Sequence, residues 1–198
     1  MTTEPGEDVR AWSIETYLER LAAPRPPTPA GGVIAALAVA QAAALLTMVA
    51  RIAGSPPDVL DRAGELQEQA VALAAADMRV FDAVTAATRL PRDTDEQRER
   101  RSAAVAEALL AAAGPPAEVV RLGGAVVDLA EQLVAVASRA VLPDVAAAAE
   151  AAGAAVAISR TNVEANLRAS ASPVDTEPAG VDATLARVAA LRAAVRRG

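Results

Sequence analysis

The run VIAALAVAQAAALLTMVA, Val33 to Ala50, most constrains the fold: 18 residues with no charge, almost all small and apolar, broken only by Gln41 and Thr47. A helix apolar on every side has to be surrounded, by other helices or by lipid. Eighteen residues lie near the lower length limit for a membrane span, and alanine contributes little to insertion compared with leucine or phenylalanine. The expected setting is the middle of a helical bundle. Composition agrees, since apolar residues make up 53% of the chain and aromatics only 2%. Alanine is the best helix former and a poor strand former. With no strand-like alternation and no internal repeat, the expected class is all-α: a multi-helix bundle around a long buried Ala-rich helix. At 198 residues, one domain is expected.

The inventory of reactive groups is short. There is no Cys and no His, so thiolate nucleophiles, imidazole bases, disulfides and the usual zinc sites are excluded together. All 19 basic residues are Arg, which removes Schiff-base chemistry. If the chain is an enzyme, carboxylates carry its proton transfers and no metal is expected. A formal charge of -6 argues against a nucleic-acid surface. The first 30 residues hold no apolar stretch of signal-peptide type, so a cytoplasmic protein is expected.

Capping signals divide the chain. Residues 1–11 are polar and expected to be disordered; 12–168 form the helical domain; 169–198 form a linker and a last helix. Ser13 is the expected N-cap of a first helix, with Trp12 and Tyr17 placed as a hydrophobic staple. A second helix is expected over 33–53. Ser55 should cap a third that runs to Arg89, with a break possible near Gly64. Thr94-Asp95-Glu96-Gln97 has the form of a capping box for a fourth, ending at Gly114. Pro115-Pro116 open a fifth reaching Ser138, Asp144 caps a sixth to Arg168, and a last helix covers 182–197.

Three clusters are candidate sites. Gly31 and Gly32 stand at the start of the apolar helix, where the first N–H groups have no intrahelical acceptors and the dipole end is positive. With Thr28 they make either a loop that an anion or polar ring can approach or a tight turn into a buried helix. Asp77, Phe81, Val84 and Thr88 share one helix face. A carboxylate on such a stripe is partnered, functional, or exposed at its edge. The turn RLPRDT after it carries Arg89 and Arg92, with Arg98, Arg100 and Arg101 following; the group suits carboxylates or is a solvated helix start. Asp144, Asn162 and Asn166 form the third cluster, the two Asn four residues apart. Their amides either bond between helices or match the lactam edge of a pterin or purine.

In this order the segments resemble the cyclodeaminase/cyclohydrolase family of folate enzymes. YLERLAAPRPPTPAGGVIAALA is similar to its opening helix and Pro-x-Pro-Gly-Gly-Gly-Ser loop, and DMRVFDAVTAATRLPRDTDEQRERR to its Asp-rich helix and Leu-Pro-Lys turn. Asp144 matches its Ser-Asp pair, and Asn162-Val163 with Asn166-Leu167 match its Asn-Val-x-x-Asn-Leu ending. Ala30 and Val33 stand where the loop motif has Gly and Ser, Arg92 where it has Lys, Thr88 where an aromatic is common, Pro143 where the Ser precedes Asp144, and Ala140 where an Asn is usual. The resemblance implies an all-helical homodimer or larger assembly that acts on a tetrahydrofolate derivative. The implied reactions are ammonia release from 5-formiminotetrahydrofolate and hydrolysis of the 5,10-methenyl form. Asp144 and Asp77 are then the candidate acid/base residues; Thr28, Gly31, Gly32, Arg92, Asn162 and Asn166 are the candidate substrate contacts. A non-catalytic folate-binding or scaffolding homologue remains the alternative. Asp144 and Asn162 lie 18 residues apart, about 27 Å on one straight helix. A shared site therefore needs a two-fold contact between copies.

Overall fold

The Ser13 hydroxyl accepts the Thr16 N–H at 3.0 Å, and from this cap the first helix, α1 (Ile14–Leu21), begins. Trp12 and Tyr17 both pack against the core from there. The structure, a computed structural model, describes residues 9–24, 29–171 and 178–197. A 3-10 turn, Val9–Ala11, precedes α1; then follow α2 (Gly31–Ala53), α3 (Pro57–Thr88), α4 (Asp95–Ala112), α5 (Gly114–Val134), α6 (Leu142–Ala169) and α7 (Val181–Arg197). No strand occurs among the described residues, so the fold is the all-α bundle that the composition implies.

α2 is the hub and packs on α3, α5 and α6. Val33, Val39, Leu46 and Val49 are fully buried, the last three spaced by seven and three so that they share one face. The opposite face is not covered within the chain: Ile34, Gln41, Met48 and Ile52 are exposed. By length and apolarity alone Gly31–Ile52, Asp95–Val134 and Leu142–Ala169 are able to cross a bilayer; in the bundle, 56% of the apolar window of α2 is buried against other helices.

Small residues set the helix spacing. A Cβ on Gly123 of α5 would come 2.5 Å from Val156 Cγ2 on α6, and one on Gly153 of α6 would come 3.3 Å from the Val188 methyls on α7. Without those side chains the helices close to direct backbone-to-methyl contact, which recovers the dispersion energy that a thin alanine core would otherwise forgo. α7 docks on its own bundle, across α5 and α6. Val181, Val188 and Leu191 are buried there, Arg187 bridges Asp128 at 2.5 Å and Glu131 at 2.6 Å, and Arg192 meets Glu150 at 3.1 Å.

The elements differ from expectation in several places, and α5 stops at Val134 rather than Ser138. Val9 is a buried core residue in its 3-10 turn rather than part of a disordered tail; residues 1–8 lie outside the described residues. Pro56, not Ser55, is the N-cap of α3, which places Pro57 at the first helical position, where a missing N–H costs nothing. α3 runs unbroken through Gly64, because the roughly 1 kcal/mol that one glycine costs a helix interior is outweighed by cooperative bonding on both sides. Asp144 does not cap α6: the helix starts at Leu142 behind Val141, and Asp144 lies inside its first turn. A carboxylate there still favours the helix through the dipole.

Gly123→Ala tests the close packing. Forcing a methyl against the fully buried Val156 should cost about 1–3 kcal/mol. The thermal midpoint should then fall by about 2–4 °C for each kcal/mol; an unchanged midpoint would show that α5 and α6 are not held at contact distance.

Candidate functional site

Gly31 and Gly32 are the first two residues of α2, behind Ala30 in extended conformation (φ -129°, ψ -163°). Ala30 has no side chain to cap the helix, and the first backbone bond is Ile34 N–H to Ala30 O at 3.2 Å. The N–H groups of Gly31, Gly32 and Val33 therefore precede the intrahelical ladder, at the positive end of the dipole.

Two other helices bring polar groups to this point. A Cβ on Gly32 would lie 2.0 Å from Asp77 Oδ1 and 2.4 Å from Asp77 Cγ, so the Asp77 carboxyl of α3 occupies the space that any other residue at 32 would fill. A Cβ on Gly31 would lie 3.4 Å from Asn162 Nδ2 and 3.5 Å from Asn162 Oδ1 on α6, with Ile158 one turn earlier at 3.7 Å. Gly31–Gly32, Asp77 and Asn162, three points far apart in sequence, meet at one helix end. Asp77 has no hydrogen-bond or ion-pair partner among the described residues, and burial pushes its carboxyl up to about 6. The positive end of α2 works in the opposite direction, but desolvation prevails. An unpaired carboxyl that titrates near neutrality beside free N–H groups is equipped to exchange a proton with a bound molecule.

The remaining candidates are placed differently. Thr28 lies outside the described residues. Asn166 Nδ2 donates to Ala112 O at 3.0 Å, so part of its amide is committed to the junction of α4 and α5. Asp144 and Asn162 are both on the uninterrupted α6, one near each end, and one chain does not bring them together. Arg92 is exposed in the turn after α3, beyond twelve residues of helix from Asp77 to Arg89, about 18 Å. That turn is held by the Thr94 capping box and by Arg98, whose Nη1 donates to Arg92 O at 3.1 Å and Asp93 O at 3.2 Å. On the Asp77 face, Phe81 is 40% exposed and Thr88 Oγ1 turns back to Thr85 O at 2.7 Å. Sequence reasoning missed Ile158, whose spacing of four from Asn162 was available, and Ser159, a fully buried hydroxyl with no partner among the described residues. No group of three or more metal-ligating side chains occurs among the described residues.

The sequence model of the formiminotransferase-cyclodeaminase family matches residues 13–175, and the chain belongs to that family. A methenyltetrahydrofolate cyclohydrolase of Methylorubrum extorquens is 36% identical over 129 residues; the match spans 60% of this chain and 62% of the relative. The crystal structure of formiminotetrahydrofolate cyclodeaminase from Thermotoga maritima superposes with a TM-score of 0.74 over 96% of both chains at 22% identity, which establishes a shared fold.

Asp77→Asn separates the roles of this carboxyl. Its folded pKa, about 6, lies above the ordinary 3.8, so the folded state binds the proton more tightly and stability falls as pH rises through that window. The variant should match the wild type in stability at pH 3 and exceed it by about 3 kcal/mol at pH 8. Equal or lower stability at pH 8 would mean that Asp77 has a partner when ionised.

Proposed function

We propose that this chain is a one-carbon tetrahydrofolate enzyme, a methenyltetrahydrofolate cyclohydrolase or a formiminotetrahydrofolate cyclodeaminase, with Asp77 as its acid/base group. The observation that carries this reading is the unpaired Asp77 carboxyl at the glycine start of α2, facing Asn162. The names of the two relatives support the choice of substrate. Gly31 and Gly32 shape the floor, Asn162 faces the pterin side, and Arg92, at the far end of α3, meets the negatively charged tail. The remote position of Arg92 makes it a binding rather than a reacting group. The protein is cytoplasmic in this reading, and no metal, membrane or nucleic acid enters it.

In hydrolysis, ionised Asp77 takes a proton from water while the water oxygen bonds to the carbon between N5 and N10. The Asp77 proton then passes to N5 as the bond to N5 breaks, and the adduct's hydroxyl loses its proton to solvent as the carbonyl forms, leaving the 10-formyl product. In deamination, N10 closes on the formimino carbon and its proton passes to the formimino nitrogen, while protonated Asp77 gives that nitrogen the second proton it needs to depart as ammonia. The two reactions need opposite forms of one carboxyl. Loss of methenyltetrahydrofolate absorbance, followed as kcat/KM against pH, should rise through about pH 6 for the hydrolase. Ammonia release from the formimino substrate should instead fall through the same pH. Asp77→Asn should lose about 100-fold or more in either assay; saturable folate binding without turnover would select the non-catalytic homologue, which the absent loop hydroxyl and the Arg at position 92 favour.

Homodimeric assembly belongs to the same reading. Ile34, Gln41 and Met48 recur every seven residues, hence on one face of α2, and Ile34 stands two residues from Gly32. A second copy on this face would complete the burial of α2 beside the site, and only a second copy is able to supply Asp144 there. Met48→Glu should shift the sedimentation coefficient to that of a monomer and lower activity; an unchanged assembly would place the two-fold contact elsewhere.

A further inference from the structure

The α4–α5 junction carries a defect that α6 repairs. Ala113 joins the two helices in helical conformation (φ -76°, ψ -19°), so the chain turns almost continuously from Asp95 to Val134. In such a run the carbonyl of Ala112 would bond the N–H of residue 116, but residue 116 is proline and has none. Asn166 Nδ2 takes that carbonyl at 3.0 Å, across 54 residues of sequence. On either side of the bond, Val163 and Leu167 of α6 pack with Ala113 in a buried cluster. Asn162 lies one helical turn before Asn166 and faces Gly31.

We propose that Asn166 is a positioning residue: its amide replaces the bond that Pro116 deletes and so fixes the rotation of α6 that sets Asn162 over Gly31. The inference rests on the reading of Asn162 as a substrate contact and assigns Asn166 a different role from its neighbour. A buried carbonyl without a donor is costly, so the junction holds Asn166 in place whether or not a ligand is bound. Val163 and Leu167 pack on Ala113 without directional preference, and the Asn166 bond adds the directed contact that fixes the rotation of the last turns.

Pro116→Ala restores a backbone N–H opposite Ala112 and makes the Asn166 amide dispensable. In the natural background Asn166→Ala should lower kcat/KM for methenyltetrahydrofolate by about tenfold or more. In the Pro116→Ala background the same change should cost less than about twofold, because the carbonyl keeps a donor. A direct Asn166 contact with substrate predicts equal losses in both backgrounds and would overturn the proposal. The side-chain amide signal of Asn162 in a nitrogen-proton correlation spectrum supplies a readout independent of turnover. It should move in Asn166→Ala and return in the double variant. An Asn162 signal unmoved by Asn166→Ala refutes the positioning role even if the protein is inactive; absent turnover in the wild type counts against the folate reading alone. If Asn166→Ala does not fold, Pro116→Ala and its double variant decide, since the proposal requires both to fold with the same Asn162 signal.

Discussion

Everything at the candidate site depends on the absence of one side chain, that of Gly32. A methyl group there would overlap the Asp77 carboxyl, so the approach of α3 to the start of α2 and the burial of Asp77 are one event. Burial makes the carboxyl weakly acidic, and the lack of a partner leaves its proton free to move. The same device spaces the rest of the bundle: Gly123 admits Val156 and Gly153 admits Val188. Helices built from alanine have little volume with which to fill a wide gap, so glycine contacts and close axes substitute for large side chains.

The fold was legible because helices are specified locally. The Ser13 and Thr94 caps act through residues three positions away, and both occur in the bundle as their spacing implies. The errors fell where two local signals compete. Ser55 and Pro56 both suit a helix start, and Pro57 decides between them because a proline at the first helical position fixes its predecessor as the cap. Asp144 suits a cap, but Pro143 is already inside the helix.

The site was legible only as separate pieces. Gly31–Gly32, Asp77 and Asn162 each carried a local reason for attention, yet their meeting is a tertiary fact with no periodicity to announce it. Asn166 shows the limit from the other side. Its partner is a backbone carbonyl freed by a proline on another helix, and no property of α6 identifies that carbonyl. The pairing becomes legible once the helices are placed and the backbone acceptors that proline strands are matched to the polar side chains facing them.

The proton chemistry narrows further when the titratable groups are compared. Arg92, where the resembled turn has a lysine, keeps the charge of the α3–α4 turn but offers a planar fork in place of a compact ammonium. Burial raises Tyr17 away from neutrality, and Arg187 holds Glu131 below the usual carboxylate range. Of the shifted groups among the described residues, Asp77 is the one moved toward neutral pH. On the proposed reading, the substitution at position 92 then shifts the division of labour rather than abolishing it. Charge recognition stays beyond the far end of α3, and proton transfer concentrates at Asp77, about 18 Å earlier on the same helix.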